Sequence, residues 1–274
     1  MLSFLYQKVI VTKTVCSKQT HGVVDNMITA DPRNTLAMAM QQRLLEAWPE
    51  AAESDLTFVI GGDGWMLSTV AQYGYDRPYF GLNAGRVGFL LNEVEDWKDL
   101  GESLRNNSLD IYTFPLLNAH AETMGGDIVT GLALNDVYLE RMTGQTARLQ
   151  VSFKESVVVE TLVTDGIIFS TSIGSTGYSL SAGGPSAHPT LPAIFVTPIC
   201  AHKPRLPSFA LPQDAECRVV VQMPEHRSVR CVVDGREIKN VVSVKIEMSE
   251  TSAKLAFLPG HSFTAAMVRK VLQG

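Results

Sequence analysis

The feature that most constrains the fold of this chain is a mostly apolar run, residues 56–60, that stops abruptly at the motif Gly-Gly-Asp-Gly of residues 61–64. Glycine permits unusual backbone angles and a close approach to a ligand, and a strand that enters a helix through such a loop directs free N–H groups at anions. Apolar side chains at roughly helical spacing follow, which predicts a helix over residues 63–73. The sequence therefore predicts a strand-loop-helix unit suited to a phosphate group.

Asp63 is the unusual residue of that loop. An unpaired carboxylate repels a nearby phosphate, so Asp63 requires a metal, a hydroxyl to deprotonate, or a different role. The loop lacks the lysine of a P-loop, and Leu67 stands where the dinucleotide fingerprint needs glycine. The pattern alone also allows a tight turn in which Asp63 caps the helix.

Composition excludes several classes of function. The chain has 274 residues, 45% hydrophobic and 19% charged, which is typical of a soluble protein long enough for two domains. Its net charge of -5 gives no support for nucleic acid or an anionic membrane as the main partner. The 4 cysteines and 6 histidines form no C-x-x-C or H-E-x-x-H motif, so neither zinc nor disulfides are indicated. Without a signal sequence or a long apolar run, we expect a cytoplasmic protein.

The first third of the chain alternates between strand and helix patterns. The predicted elements are a strand at residues 8–12, a helix from Asp31-Pro32 to Pro49, a strand at 56–60, a helix at 63–73, a strand at 78–82 and a helix at 96–104. The first helix is expected to place Leu36, Met40, Leu44 and Leu45 on one face. This alternation predicts a parallel sheet.

The strand at residues 78–82 also runs into glycines, within residues 81–90. Two glycine loops at strand ends are expected on the same edge of the sheet, where ligands bind in open α/β folds. Arg86 lies in the second loop and is a candidate phosphate contact, because a guanidinium offers a fork of donors. It is equally interpretable as a solvated loop arginine.

Beyond about residue 110 the pattern becomes mainly β. Residues 148–162 alternate as a hairpin, further strand-like runs follow, and the tail returns to helical spacing. We predict an α/β plus β fold: a Rossmann-like α/β domain over residues 1–110, and a β-rich, β-sandwich-like domain over 111–258. The tail, residues 259–274, is predicted to form a helix that packs back on the first domain.

Two polar stretches in the β-rich part are candidates for ligand contact. Asn135-Asp136 lies between apolar residues, and neighbouring strand residues point to opposite faces unless a turn or bulge intervenes. A strand end with an Asx-turn is the alternative. Residues 170–185 are almost entirely small or hydroxyl-bearing, so they predict an ordered loop of small donors and acceptors, or alternatively a Gly/Ser linker.

These motifs together resemble those of NAD kinases, the ATP-NAD kinase family, in order and spacing over about residues 55–260. The features that carry the resemblance are Gly-Gly-Asp-Gly at 61–64, residues 81–90, Asn135-Asp136, residues 165–185 and Val-Thr-Pro-Ile-Cys-Ala-His at 196–202. Lipid and sphingosine kinases and phosphofructokinases share a loop related to Gly-Gly-Asp-Gly. The serine/threonine/glycine stretch with its tyrosine is more specific.

The resemblance implies an activity, cofactors and site residues. It implies transfer of the γ-phosphate of ATP, or of polyphosphate in some members, to the 2′-hydroxyl of the adenosine ribose of NAD, giving NADP. It also implies a divalent metal with ATP, Mg²⁺ or Mn²⁺, and a homodimer or homotetramer. Asp63 is similar to the family's catalytic aspartate, a general base or orienting group. The residues similar to loop-shaping, phosphate or NAD contacts are Gly62, Gly64, Arg86, Asn135, Asp136, Asp165, Thr176, Tyr178 and Ser181.

The chain departs from the family pattern at a few positions. Trp65 replaces a common threonine, Ser172-Ile173 and Gly177 replace Pro-Thr and Ala, and residues 201–205 lack the usual proline- and serine-rich sequence. These departures bear on phosphoryl-donor choice and affinity rather than on the fold. Trp65 motivates one alternative, an NAD-binding protein with weak or no kinase activity, and the related superfamily supplies another, a lipid kinase.

Overall fold

The computed structural model describes residues 28–85, 88–106 and 108–272. The strand predicted at residues 8–12 and the candidate phosphate contact Arg86 lie outside this part of the chain.

The helices form largely where the sequence predicts them. Their bounds are α1 Thr35–Ala47, α2 Asp63–Tyr73, α3 Trp97–Arg105, α4 Tyr178–Ser181 and α5 Phe263–Leu272, with 3₁₀ turns at Pro49–Glu53 and Gly174–Thr176. The predicted helix at 63–73 and the tail helix are confirmed, and Asp96 caps the N-terminus of α3. Within the described ranges, no helix is long and apolar enough to span a membrane.

The start of α1 differs from the prediction. Its N-cap is Asn34, whose side chain accepts hydrogen bonds from the backbone N–H groups of Leu36 and Ala37 at 3.0 and 3.3 Å. The predicted start at Asp31-Pro32 is therefore wrong. Met40 and Leu44 of the predicted face are buried, but the helix buries Ala37 in place of Leu36, which is 55% exposed.

The strands account for most of the remaining chain. Their bounds are β1 Ile28–Ala30, β2 Thr57–Gly61, β3 Pro78–Asn83, β4 Asp110–Thr123, β5 Ile128–Ala133, β6 Asp136–Arg141, β7 Ala147–Phe153, β8 Ser156–Thr164, β9 Gly166–Ser170, β10 Ala193–Ile199, β11 Phe209–Pro212, β12 Cys217–Val221, β13 Val229–Val233, β14 Arg236–Ile238 and β15 Val241–Phe257. The hairpin predicted over residues 148–162 is confirmed as β7 and β8. The sequence pattern does not predict β1, which is only three residues long.

Within the described residues, one sheet of nine strands has the order β1-β2-β3-β15-β12-β7-β8, with β4 paired to β15 and β5. The β1-β2-β3 part is parallel, as predicted, and β15 joins it in parallel to β3. The 17 residues of β15 also pair antiparallel with β12 and β4. This long strand therefore connects the α/β part directly to the β-rich part.

A second, antiparallel sheet has the order β11-β10-β9-β6-β13-β14. Its inward side chains share one apolar core with strands β4, β7, β12 and β15 of the large sheet. Two sheets face to face over a common core form a sandwich, which agrees with the predicted β-sandwich-like part.

The two parts are also joined by a second apolar cluster. It buries Met66 of α2, Leu90 of the second glycine loop, Leu134, Ile173 and Phe263 of α5. Leu134 directly precedes the Asn135-Asp136 pair, and Ile173 lies within the stretch at residues 170–185. This cluster therefore holds the glycine loops and those stretches in one packed unit.

Candidate active site

The two predicted glycine loops lie side by side at one end of the large sheet. β2 and β3 are parallel neighbours, and their last residues, Gly61 and Asn83, are paired. Helix α2 begins at Asp63 with Gly62 as N-cap, and no side chain supplies a capping hydrogen bond. The interpretation of Asp63 as the helix cap is therefore wrong, and its carboxylate is used elsewhere.

The carboxylate of Asp63 is held by the backbone of the second glycine loop. It accepts hydrogen bonds from the N–H of Phe89, at 2.9 and 3.1 Å, and from the N–H of Leu90 at 3.1 Å. A Cβ on Gly88 would lie 3.0 Å from Asp63 Oδ1, so glycine permits this close approach. These two backbone donors fix the carboxylate between the two loops.

The second glycine loop is itself pressed against the sheet. A Cβ on Gly81 would lie 2.4 Å from Leu91 Cδ2 and 2.9 Å from the carbonyl oxygen of Leu90. Asn92, only 1% exposed, donates to the carbonyl groups of Gly81 and Ala256 at 3.0 and 3.2 Å. The sequence does not predict this supporting role of Asn92, because a lone amide beside apolar residues gives no pattern of its own.

Asn135 and Asp136 approach the same point although they are neighbours in sequence. A Cβ on Gly177 would lie 3.9 Å from Asn135 Nδ2 and 4.0 Å from Asp136 Oδ2. A bend at residues 134–135, immediately before β6, allows this arrangement. Asn135 Oδ1 is buried and accepts no hydrogen bond from any described residue, so the Asx-turn alternative is wrong.

Asp136 is a buried acid. The residue is 7% exposed, and its burial together with the nearby carboxylate of Asp234 raises the pKa of Asp136 to about 7. Ser170 lies opposite it on β9, and Ser170 Oγ has no hydrogen-bond partner among the described residues. Unsatisfied buried polar atoms are costly, so a ligand that supplies hydroxyl or amide groups here is favoured.

The hydroxyl-rich stretch at residues 170–185 is ordered but mostly turned inward. Ser172 donates to the carbonyl of Leu191, Ser175 to that of Ser172 at 2.6 Å, and Thr176 to that of Ile173 at 3.2 Å. The linker alternative is therefore wrong. The predicted surface of small donors and acceptors also needs correction, because these hydroxyl groups are used to hold the loop in shape.

Gly174 fixes that loop against Asn135. A Cβ at residue 174 would lie 2.0 Å from the carbonyl oxygen of Asn135 and 2.5 Å from its carbonyl carbon. Backbone atoms cannot move aside cheaply at such distances. Only glycine therefore fits at this contact between the loop and the Asn135-Asp136 bend.

We expect Gly174→Ala to displace Asn135 and to lower the free energy of unfolding by about 2 kcal/mol or more, as overpacking at a rigid contact does. Urea unfolding measures the loss. Gly144→Ala is the matched control, since nothing lies within 4 Å of a Cβ there. Equal stability of the two variants would contradict a rigid contact between Gly174 and Asn135.

The remaining predicted site residues divide into two groups. Tyr178 packs edge-on against Tyr138, with ring centroids 5.1 Å apart, and burial raises the pKa of the Tyr178 hydroxyl. Ser181 is exposed at the end of α4. Both belong to the short helix that follows Gly177, so they lie near the Asn135-Asp136 pair.

Asp165 is not brought to this pair. Its carboxylate accepts a hydrogen bond from Arg141 Nε at 2.7 Å. Arg141 ends β6 and Asp136 begins it, so the two aspartates are roughly 16 Å apart at the usual rise of a strand. Within a single copy of the chain, Asp165 is therefore separated from the other candidate NAD contacts.

Trp65 packs inward against the end of β2. A Cβ on Gly61 would lie 2.9 Å from Trp65 Cβ, and the indole joins the apolar cluster that contains Leu134 and Ile173. Trp65 Nε1 is buried without a hydrogen-bond partner in the described part of the chain. The large side chain thus depends on the absence of a side chain at Gly61.

Comparison with known proteins finds a matching family model and similar relatives. The family model described as ATP-NAD kinase C-terminal domain matches residues 134–258. A protein of Zymomonas mobilis named NAD kinase is 33% identical over 239 residues, covering 85% of this chain and 91% of that protein. A Xanthomonas campestris protein named NAD kinase is 35% identical over 233 residues, covering 82% of this chain and 89% of that protein.

Two solved structures share the fold. A yeast NADH kinase complexed with NADH superposes with a TM-score of 0.77 at 20% identity, covering 90% of this chain and 86% of that one. An NAD kinase from Archaeoglobus fulgidus in complex with ATP gives a TM-score of 0.71 at 22% identity, covering 90% and 97% respectively. These likenesses confirm the predicted fold of an α/β part joined to a β-rich part.

Proposed function

The chain belongs to the NAD kinase family, and we propose how its own residues take part in the phosphorylation of NAD to NADP. The single observation that carries the proposal is the position of Asp63, whose carboxylate is held by two backbone N–H groups between two glycine loops. The lipid kinase alternative is set aside by the family membership.

Asp63 accepts the proton of the acceptor hydroxyl in this proposal. A ribose hydroxyl is a poor nucleophile at neutral pH, and a positioned general base typically contributes 10²- to 10⁴-fold to such a reaction. The bond between the 2′-oxygen and the γ-phosphorus forms, the bond from that phosphorus to the oxygen bridging it to the β-phosphate breaks, and ADP leaves. The backbone of Phe89 and Leu90 keeps the carboxylate oriented throughout.

Asn135 and Asp136 hold NAD in this proposal. Asn135 Oδ1 and Ser170 Oγ are buried polar atoms without partners in the described residues, and Asp136 is a buried acceptor beside them. Ribose hydroxyls and an adenine amino group supply the donors that these atoms lack. The further NAD contacts that we propose are Asp165, Thr176, Tyr178 and Ser181; Asp165 is the one that stands apart.

Gly62, Gly64 and Arg86 serve the phosphates in this proposal. A Cβ at either glycine would meet nothing within 4 Å, so the start of α2 is open to a ligand. The described residues contain no group of three or more His, Cys, Asp or Glu side chains that would cage a metal. In this proposal Mg²⁺ or Mn²⁺ would arrive with ATP and would be held mainly by phosphate oxygens and water, where it would neutralise developing charge.

Incubation of the purified protein with NAD, ATP and Mg²⁺ tests the proposal. We expect NADP to accumulate, measured with an NADP-specific dehydrogenase, and to depend on the metal. A protein that binds NAD but forms no NADP would instead support the alternative of a weak or inactive NAD-binding protein. The same assay with other triphosphates and with polyphosphate identifies the donor. We also propose that the protein is cytoplasmic and forms a homodimer or homotetramer. Sedimentation of the purified protein tests its oligomeric state.

A further inference from the structure

We propose that Asp234 is a positioning residue for NAD: its carboxylate holds the backbone of residues 134–136 in the bend that turns Asn135 and Asp136 toward the ligand. The inference rests on the proposed function of Asn135 and Asp136 as NAD contacts.

The carboxylate of Asp234 accepts hydrogen bonds from three consecutive backbone N–H groups of the bend. Its Oδ2 accepts from the N–H of Leu134 at 2.5 Å, and its Oδ1 accepts from the N–H groups of Asn135 and Asp136 at 3.0 and 3.1 Å. The N–H of Asp234 in turn donates to the carbonyl of Asp136 at 3.1 Å. One side chain thus satisfies three consecutive donors that a regular strand could not direct at a single point.

The hairpin between β13 and β14 aims this carboxylate. Val233 and Arg236 are paired, so Asp234 and Gly235 form a two-residue turn, with φ angles of 44° and 79°. Asp-Gly and Asn-Gly are both favoured in such turns. Arg236 also connects the hairpin to the end of β5, since its Nη2 donates a hydrogen bond to the carbonyl of Leu132 at 2.8 Å. Because asparagine suits this turn as well as aspartate does, the turn alone does not require a charged residue at position 234.

The negative charge of Asp234 is unfavourable for the neighbouring buried carboxylate of Asp136. Asp234 raises the pKa of Asp136, and burial raises the pKa of Asp234 itself. Two neighbouring buried carboxylates destabilise each other. An asparagine would serve the turn without this repulsion, so the carboxylate is better explained by the three backbone donors and the bend that they define.

Several titratable groups surround the two carboxylates. Tyr138 on β6 and Tyr178 on α4 interact electrostatically with Asp136. Tyr75, which follows α2, and Arg236 on β14 interact with Asp234. Burial raises the pKa of all three tyrosines, so they stay neutral in the pH range where Asp136 titrates. A shift of that titration on changing Asp234 is then attributable to its charge.

Steady-state kinetics of Asp234→Asn tests the inference. The variant keeps the turn but replaces one acceptor oxygen with an amide donor that opposes the N–H of Leu134. We expect KM for NAD to rise about tenfold, the equivalent of one hydrogen bond to a charged group, with kcat and KM for ATP within about twofold. Because Asp136 loses a neighbouring charge, the acid limb of kcat/KM for NAD should move to lower pH.

Two further variants complete the test. Asp234→Gly, which also suits the turn, should raise KM for NAD at least as much. Asp127→Asn, at the exposed turn between β4 and β5, is the matched control and should leave all parameters unchanged. An unchanged KM for NAD in both Asp234 variants overturns the inference. An equal fall in kcat/KM for NAD and for ATP, without a shift of the acid limb, also overturns it, because this would indicate a purely structural role. Absence of NADP formation by the unmutated protein would instead contradict the proposed function.

Discussion

Asp63→Asn is expected to lower kcat for NADP formation by about 10²- to 10⁴-fold, the usual contribution of a general base. Asparagine has nearly the same shape and can still accept the N–H groups of Phe89 and Leu90 through its oxygen, so the two loops stay together. It cannot accept the hydroxyl proton. The loss should therefore fall on kcat, with KM for NAD and ATP changed little.

The control for this variant is Asp55→Asn, at an exposed aspartate just before β2. It removes the same charge from the same part of the chain and should keep full activity. Unfolding curves of the two variants should agree within about 1 kcal/mol, as for substitutions that keep shape. Turnover near that of the unmutated protein in Asp63→Asn would exclude Asp63 as the base.

Asp136→Asn is expected to have two opposite effects. The pKa of Asp136 is raised from 3.8 to about 7, so the native state holds a proton that the unfolded state releases. This stabilising contribution is fully present below pH 3.8 and is lost as pH rises toward 7. Each unit of pKa difference corresponds to about 1.4 kcal/mol. Asparagine, which never ionises, should therefore make the ligand-free protein more stable at pH 8.

The same substitution should weaken the use of NAD. Asparagine offers a neutral acceptor in place of the charged one, and we expect kcat/KM for NAD to fall about 10- to 100-fold at pH 8. Urea unfolding at pH 5 and pH 8 measures the first effect and kinetics measures the second. Asp110→Asn, at the exposed start of β4, should change neither. A variant that is less stable than the unmutated protein at pH 8 would disprove the assigned titration.

The local pattern predicts the first part of the fold well. Helix α2 has the predicted bounds, because glycines, a single carboxylate and an apolar period all agree at its start. α1 is less well predicted, because Asp31 and Asn34 are both good caps and only packing selects the second. The short β1 has no periodicity to detect, and its pairing with β2 defines it.

The candidate site is only partly readable from sequence. Asp63 and the Asn135-Asp136 pair stand out because polar groups interrupt apolar runs. The inward turn of Ser172, Ser175 and Thr176 depends on carbonyl groups that become available only in the folded loop. A hydroxyl group gives no sign in the sequence of whether it faces a ligand or its own backbone.

Asp234 shows the same limit most clearly. Its Asp-Gly sequence is a strong turn signal, and that signal conceals a second use of the carboxylate. The donors that it accepts lie about one hundred residues earlier in the chain, at residues 134–136. Long-range contacts of this kind carry no local pattern.

The most direct test of the central claim is the position of the phosphate on the product. The protein is incubated with NAD, ATP and Mg²⁺, and the product is analysed by phosphorus NMR. We expect a phosphate monoester on the 2′-hydroxyl of the adenosine ribose, formed by the unmutated protein and reduced by orders of magnitude in Asp63→Asn. A phosphate on any other hydroxyl, or no phosphorylated NAD at all, would contradict it.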